Sequence, residues 1–392
     1  MKPKRPVSVS VLMPVYNCEV YLSEAIKSIQ DQTFKDFEII IVNDGSTDKT
    51  REIVDLFAEA DPRIIPLHTE NQGIVDALNH GAQYASGKYL ARMDGDDISY
   101  AHRFALQVKA LDDDDEIVAV SNSIVVIDES GYPKHGGINI AENRVSDLYS
   151  VPAREHYLVH PFLMMRRSAF DQVGGYRHIL HSEDAELYFR LEEVGKLKNL
   201  PQVLGEYRVH TGSVSGKDAQ NGRIQSVSAQ LAAISARRRR SEREDILLTK
   251  DFASEMKSHA YDIISLCQWC IKTLSLTREE SEWLRAASVV KYLQHEHWRP
   301  YTISNEDAVR IKNFVKTVDS TTIGEEATKD VLRHYLWVIK TKWKWRHCDN
   351  NFSVLKDLIS PSVVWRAGMI AAKRRSARRF NRLVKSIQRR LA

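Results

Sequence analysis

Lys88-Tyr89-Leu90-Ala91-Arg92-Met93-Asp94-Gly95-Asp96-Asp97 decides the fold class of this chain. A short apolar run ends, without a spacer, in three carboxylates within four residues. A strand that stops at such a cluster places acids at its carboxyl end, where open α/β sheets bind ligands. Carboxylates this close repel one another unless a cation neutralises them. A hard divalent ion such as Mn²⁺ or Mg²⁺ suits oxygen ligands and commonly arrives with a phosphate group. A solvated acidic turn is the competing explanation, since Asp and Gly both favour turns.

The residues on either side turn this strand into one of a series. Val7 to Tyr16 reads as a buried strand, and Glu19 to Gln30 as an amphipathic helix. Phe37 to Val42 is nearly all apolar, as strands buried on both faces are. It runs into Asn43-Asp44-Gly45-Ser46, after which Thr47 or Asp48 can cap a helix reaching about Ala60. Arg63 to Leu67 gives a third strand, Gly73 to Ala85 a third helix and Lys88 to Met93 a fourth strand. Repeated strand–helix units argue for a parallel sheet covered by helices. No G-x-G-x-x-G follows the first strand, which argues against a dinucleotide-binding domain. The strand ends carry Tyr16 and Asn17, then Asp44, then Asn71, then the aspartates, and one sheet edge would gather them. An aromatic ring and a carboxylate suit a nucleobase, and a metal cluster suits a diphosphate. Taken singly, Asp44 and Asn71 also fit plain turn formation.

Further on, Arg103 to Leu111 reads as a helix, Asp112 to Glu116 as a solvated acidic loop, and Ile117 to Ile127 as a strand. Gly131 to Asn139 reads as a loop and His160 to Met165 as another strand. Leu187, Leu191 and Val194 have helical spacing, so Glu183 and Asp184 fall in a first helical turn. Acids there complement the helix dipole, and a carboxylate held there can also serve as a general base. Tyr207-Arg208-Val209-His210 closes a strand on a histidine, a residue more often structural than a ligand, here after a strand that could return to the same sheet.

A chain of 392 residues has room for two domains. Residues 1–220 hold 23 Lys+Arg against 34 Asp+Glu, and residues 221–392 hold 33 against 18. The Gly- and Ser-rich segment 212–222 is the expected boundary. It separates a domain over 1–215 from a basic, helical one over 222–392. In the second, Arg237 to Arg240 form a basic run, and Trp337, Trp343 and Trp345 interleave with Lys340, Lys342 and Lys344. From Lys373 to Ala392 there are nine Lys/Arg and no acid, with Phe380, Leu383, Val384, Ile387 and Leu391 on one stripe. A basic amphipathic helix of this kind reads as peripheral membrane contact. Basic residues beside Trp also suit nucleic acid, but no nucleic-acid motif accompanies them, so no nucleic-acid partner is expected. Cys18, Cys267, Cys270 and Cys348 are too few and scattered for a disulfide framework, and the lone C-x-x-C reads as two packed thiols. With no apolar run near the ~20 residues of a membrane span and no secretory leader, the expected location is cytoplasmic, on the inner face of the membrane.

The motifs in order resemble those of family 2 glycosyltransferases, inverting enzymes of the GT-A fold. The matching pieces are Val9 to Asn17, Glu38 to Asp48, Asn71-Gln72-Gly73, Gly87-Lys88-Tyr89, Asp94-Gly95-Asp96-Asp97, Gly174-Gly175-Tyr176, Glu183-Asp184 and Tyr207-Arg208 with His210. They cover about residues 7–215. The resemblance implies a mostly parallel α/β sheet between helices, with a nucleotide-sugar donor, UDP-linked as first candidate. Pro14, Val15, Tyr16, Asn17, Asp44 and Asn71 would hold the nucleotide. Asp94 would face ribose and sugar. Asp96, Asp97 and His210 would take Mn²⁺ or Mg²⁺. Asp184, with Glu183 beside it, would be the catalytic base toward a glycan or lipid-linked acceptor in cell-surface polysaccharide synthesis. Two other readings remain: a sugar-phosphate nucleotidyltransferase, which would release pyrophosphate, and a non-catalytic nucleotide-sugar-binding membrane-associated protein. Oligomeric state is not written in the sequence.

Overall fold

The computed structural model describes residues 7–139, 143, 145–210, 218–298, 303–318, 325, 328, 329 and 331–335. The interleaved Trp and Lys residues at 337–345, Cys348 and the basic stripe at 373–392 lie outside them. The chain divides into two compact units. The first holds residues up to Ser146, Glu155–His178 and Glu183–Ser213. The second gathers Asp147–Arg154, Ile179–Ser182 and the described residues from 218 onward.

The first unit alternates strand and helix at its start: β1 (Val9–Val15), α1 (Leu22–Gln30), β2 (Phe37–Asp44), α2 (Thr50–Ala60), β3 (Ile64–Thr69), α3 (Ile74–Tyr84) and β4 (Tyr89–Arg92). It continues with β5 (Ile98–Ser99), α4 (Arg103–Asp112), β6 (Ile117–Ile127), β7 (Pro133–Asn139), β8 (Met164–Arg166), α5 (Arg167–Gln172), α6 (Glu183–Leu191) and β9 (Lys196–Arg208). The sheet order is β3-β2-β1-β4-β8-β6-β9-β5, with β7 paired to β6. The first four strands are parallel, β8 is antiparallel to β4 and β6, and β6 and β9 run parallel. This is a mixed α/β sheet of the GT-A type.

Strand periodicity explains why both faces are covered. Val9, Val11, Met13 and Val15 of β1, with Ile39 and Ile41 of β2, pack against Leu22, Ile26 and Ile29 of α1 and Phe104, Val108 and Leu111 of α4. Leu12, Ile40 and Val42 point the other way, to Val75 and Leu78 of α3, Phe170 of α5 and Leu187 and Leu191 of α6. The parallel register pairs Val15 with Asn43, Asp44 with Thr69 and Leu12 with Arg92, so the carboxyl ends of β1 to β4 lie along one edge.

Two elements differ from expectation. Residues 133–139 form β7, not a loop. Asp128 accepts from the amides of Ser130 and Tyr132, and Gly131 adopts φ 85°, which closes a hairpin onto β6. Sheet-edge pairing thus overrides the weak strand propensity of Gly136 and Gly137. His160–Phe162 is a 3₁₀ turn, and the strand begins only at Met164. Pro161 lacks the N–H that a strand ladder needs.

The second unit contains α7 (Ala219–Arg240), α8 (Lys250–Ser258), α9 (Ile263–Thr273), α10 (Arg278–Trp298) and α11 (Asn305–Thr317). Asp218, Thr249, Asp262 and Ser304 cap α7, α8, α9 and α11 with side-chain oxygens on backbone amides. Buried Asp307 accepts from Arg223, Tyr292, Ser304 and the Ile263 amide, joining four helices or their ends. The basic run of α7 is largely engaged within this unit. Arg237 donates to the Leu148 carbonyl and lies over the rings of Tyr149 and Trp283, Arg238 pairs with Glu280, and Arg239 pairs with Asp245. Cys267 and Cys270 are fully buried free thiols in α9. Among the described residues, no helix is long and apolar enough to cross a membrane.

Candidate active site

The loop after β1 is stitched to the loop after β2. Asn17 donates its amide to Ser46 Oγ (3.0 Å) and accepts from the Thr47 amide (2.8 Å). Cys18 N donates to Thr50 Oγ1 (2.9 Å), Glu19 N to Asp48 Oδ2 (3.1 Å), and Lys49 N back to Glu19 Oε2 (2.9 Å). Asp48 Oδ1 also accepts from the Thr50 amide at the start of α2. These bonds leave the Tyr16 ring 52 % exposed at the sheet edge, a flat apolar surface beside polar loops. Pro14 is partly exposed and Val15 is buried.

Asp44, at the end of β2, accepts from the amides of Gln72 (2.8 Å) and Gly73 (2.8 Å). Its carboxylate therefore holds the Asn71-Gln72-Gly73 loop at the start of α3, and Asn71 is exposed on that loop. Gly45, at φ 70°, lets the two loops touch: a Cβ there would stand 2.6 Å from the Asn71 amide nitrogen.

The three aspartates after β4 bring one ligand oxygen each to within 4.8 Å of one another. Gly95 between them packs on Val15 and Cys18, and a Cβ there would meet both at 3.0 Å. The aspartates differ in environment. Asp94 pairs with the Arg92 guanidinium. Asp96 Oδ2 is hydrogen-bonded to His210 Nε2 (3.0 Å). Asp97 is 1 % exposed, accepts from the Arg208 amide on Oδ1 (2.8 Å), and keeps a buried Oδ2 with no hydrogen-bond partner. Burial, reinforced by the charges of Asp94 and Asp96, pushes the Asp97 carboxyl well above the carboxylate range. A buried, half-satisfied carboxylate beside two others, with an imidazole at hand, fits a hard divalent cation.

At the opposite end of the group, Glu183 and Asp184 open α6, and Asp184 Oδ1 accepts from the Ala185 amide (2.7 Å). Burial and the neighbouring Asp184 charge push Glu183 up to about 7. Burial, with Glu155 nearby, raises Asp184, while the Ala185 amide and Arg92 oppose it. The floor between the two acidic groups is a buried ring layer: Tyr176 OH meets His160 Nε2 (2.8 Å), and Asn79 clamps the Tyr176 backbone through two bonds of 2.9 Å. Gly175 at φ 73° allows Asn79 that approach.

Pro14 to Asn17, Asp44, Asn71 and Asp94 to Asp97 thus lie at or just beyond the carboxyl ends of β1 to β4, His210 is bonded to Asp96, and Glu183 and Asp184 open α6. Arg208 stands in the Tyr207-Arg208 piece of the sequence, which by itself gives it no role. Its amide holds Asp97, its Nε donates to the Asp96 carbonyl (2.8 Å), its NH2 reaches Glu24 Oε2 (2.7 Å), and its guanidinium lies 4.6 Å from the Tyr21 ring. Tyr21 in turn faces His210, with ring centroids 5.1 Å apart. One residue of β9 therefore anchors the aspartate loop, 111 positions earlier in the chain. Its signal in the sequence was its place in the Tyr207-Arg208 piece that carries the family resemblance.

The first unit thus carries an aspartate trio at the carboxyl edge of its parallel strands and a second acidic pair at the start of α6. The chain belongs to glycosyl transferase family 2. The family's model matches residues 10–174. The glycosyltransferase EpsE of Bacillus subtilis is 35% identical over 211 residues, which is 51% of this chain and 72% of that protein. The amylovoran biosynthesis glycosyltransferase AmsE of Erwinia amylovora is 28% identical over 216 residues, 54% of this chain and 80% of that one. Among solved structures, a mannosyltransferase from Pyrobaculum calidifontis in complex with GDP-Man and Mn²⁺ aligns over 87% of this chain and 89% of that one, at 16% identity and TM-score 0.46. The family match ends at Gly174, so Glu183 and Asp184 lie beyond it.

Proposed function

We propose that this glycosyltransferase takes a nucleotide-diphosphate sugar, UDP-linked as first candidate, and transfers the sugar with inversion to a growing surface polysaccharide or its lipid-linked precursor. The observation that carries the reading is the pairing of two acidic groups in one unit: the aspartate trio at the end of β4 and the Glu183-Asp184 pair at the start of α6. The trio, with His210 beside Asp96, would hold Mn²⁺ or Mg²⁺. When bound, such an ion supplies neutralising charge for a diphosphate leaving group. Asp97 is the ligand with the most to gain, because its buried Oδ2 lacks a partner.

The remaining chemistry falls to side chains. Tyr16 offers a stacking face for the base, and the loops tied together through Asn17 and Asp44 present backbone groups around it. Asp184 accepts the proton of the acceptor hydroxyl as that oxygen bonds to the anomeric carbon. The bond from that carbon to the phosphate oxygen breaks, and nucleoside diphosphate departs with its electrons. A displacement from the face opposite the leaving group needs no covalent intermediate. The polysaccharide acceptor is supported by the biosynthetic role in the name of AmsE. The basic stripe of residues 373–392 supports peripheral attachment to an anionic membrane surface.

The test is product analysis with the Asp184→Asn variant. The expected result is release of nucleoside diphosphate by the wild type, and loss of about 10²- to 10⁴-fold in kcat with the donor KM little changed in the variant. Release of pyrophosphate would instead establish the nucleotidyltransferase reading. Full activity of Asp184→Asn would remove Asp184 as the base.

A further inference from the structure

The helical unit carries a groove of about 370 Å³ between α9, α10 and α11, inside the roughly 300–1,000 Å³ range of small-ligand sites. Helical spacing builds its walls. Arg310, Asn313 and Phe314 line it from one face of α11, Glu282 and Arg285 from α10, and Gln268 from α9. Ala308, Ile311 and Val315 are buried, so α11 packs by that face and leaves the polar one to the groove. Elsewhere in this unit arginines are matched to acids: Arg223 to Asp307, Arg238 and Arg243 to Glu280, Arg239 to Asp245 and Arg278 to Glu282, at 2.7–3.0 Å. The two arginines of the groove are not. Arg285 is half-buried and makes no hydrogen bond or ion pair among the described residues. Arg310 reaches only Asp262, with Nε 3.8 Å from Oδ2, too long for a hydrogen bond. Asp262 spends Oδ1 on the Ile264 and Ser265 amides that open α9, and its buried Oδ2 accepts no hydrogen bond. Glu282, the acid of the lining, is taken by Arg278. The groove therefore holds two guanidiniums whose donors the protein itself does not use.

We propose that this groove is a glycan-holding site that takes an anionic saccharide, its carboxylate or phosphate oxygens bound by Arg285 and Arg310. The choice of ligand rests on the reading of a polysaccharide acceptor. Guanidinium forks match planar or tetrahedral oxyanions with two parallel hydrogen bonds, and such charge-assisted bonds are the strong ones. Gln268 and Asn313, both exposed, each donate and accept, as sugar hydroxyls do. The half-buried Phe314 ring adds an apolar surface for the C–H face of a pyranose. A bare phosphate would use the arginines and leave the amides and the ring idle. An acidic peptide spreads its charges along an extended backbone, whereas here two cations serve one compact cavity. A hold of this kind keeps an anionic polymer on the protein between transfers, since a second attachment makes rebinding intramolecular.

The experiment is calorimetric titration of the full chain, without donor, by trigalacturonate, its methyl ester, glucose 6-phosphate, inorganic phosphate and triglutamate. Wild type, Arg285→Gln and Arg310→Gln are compared, with far-UV circular dichroism recording folding. Trigalacturonate or glucose 6-phosphate should bind at one site per chain, more tightly than inorganic phosphate or triglutamate, and which of the two binds tells a carboxylate ligand from a phosphate one. Each variant should weaken that binding by about tenfold or more, the loss expected when a hydrogen bond to a charged group goes. The methyl ester, which keeps the sugar and removes the charge, should bind as poorly. Arg310 is exposed, so Arg310→Gln keeps the test decisive should Arg285→Gln fail to fold. No binding of either sugar, equal binding of inorganic phosphate or triglutamate, or an unchanged affinity in folded Arg310→Gln overturns the proposal. Nucleoside diphosphate release from UDP-sugars, water serving as acceptor, is measured alongside and should be unchanged in both variants. If the wild type releases none while sugar binding still depends on the arginines, the transfer reading fails and the binding site stands. If release is normal and binding ignores the arginines, only the groove falls.

Discussion

Replacing Glu183 by Gln should make the protein more stable and less active. Glu183 opens α6, and burial together with the Asp184 charge moves its carboxyl from 4.5 to about 7. Between those pH values the folded chain keeps a proton that the unfolded chain has released, so stability falls as pH rises through the window. At about 1.4 kcal/mol per pKa unit, the full cost of ionised Glu183 is about 3 kcal/mol. The carboxylate is partly exposed, and solvent screening brings the cost to about 1–2 kcal/mol. Glutamine keeps the shape and removes the charge. In a unit of about 200 residues, each kcal/mol corresponds to about 2–4 °C in Tm. Thermal melts of the metal-free protein should therefore show Glu183→Gln melting about 2–8 °C above wild type at pH 8.5 and level with it at pH 4. A gain of the same size at both pH values, or a loss at pH 8.5, would refute the reasoning that Glu183 is held under charge strain. Groups strained in this way cluster at catalytic sites, where stability is given up for reactivity.

Arg208→Met should leave the sheet folded but weaken Mn²⁺ binding by about tenfold or more, since the side-chain bonds to the Asp96 carbonyl and Glu24 disappear while the amide bond to Asp97 remains; calorimetric titration of Mn²⁺ with nucleotide checks it. Gly87→Ala should destabilise the first unit by more than about 2 kcal/mol, because the new Cβ would stand 2.5 Å from the Ser10 amide nitrogen, a backbone atom that cannot swing aside; urea unfolding followed by circular dichroism reads the loss.

Much of the first unit was legible because its signals are local. β1 to β4 are short apolar runs, each closed by polar residues, and the structure places those closures along one sheet edge as the periodicity implied. The 131–139 segment was not legible, because a glycine pair reads as loop until β6 offers it a partner. His160-Pro161-Phe162 looked like strand because its apolar content outweighed its proline. At the site, residue types announced the acids but not their supports. Asp44 was read as a nucleobase ligand, and the structure shows both its oxygens on the amides of Gln72 and Gly73, so any base contact is shared with that scaffolding. Arg92 and Arg208 stand in the quoted motifs but had no legible role, for one physical reason. A buried guanidinium depends on partners distant in sequence, and neither Glu24 nor Asp97 is visible from position 208. The basic run at Arg237 to Arg240 shows the opposite case: it reads as a charged surface patch, yet Tyr149, Trp283, Glu280 and Asp245 absorb most of it within its own unit.

The central claim is that the aspartates after β4 form a metal-assisted diphosphate site. The most direct measurement is a thermal-shift titration of nucleoside diphosphates, UDP first, with and without Mn²⁺, on the wild type and on Asp96→Ala and Asp97→Asn. A ligand that binds only the folded state at about 100 times its Kd adds about 2.7 kcal/mol of stability. Tm should rise clearly with nucleotide and Mn²⁺ together and much less with either alone, and the combined effect should be lost in both variants. No metal-dependent shift with any nucleoside diphosphate, or an undiminished shift in Asp96→Ala and Asp97→Asn, would contradict it.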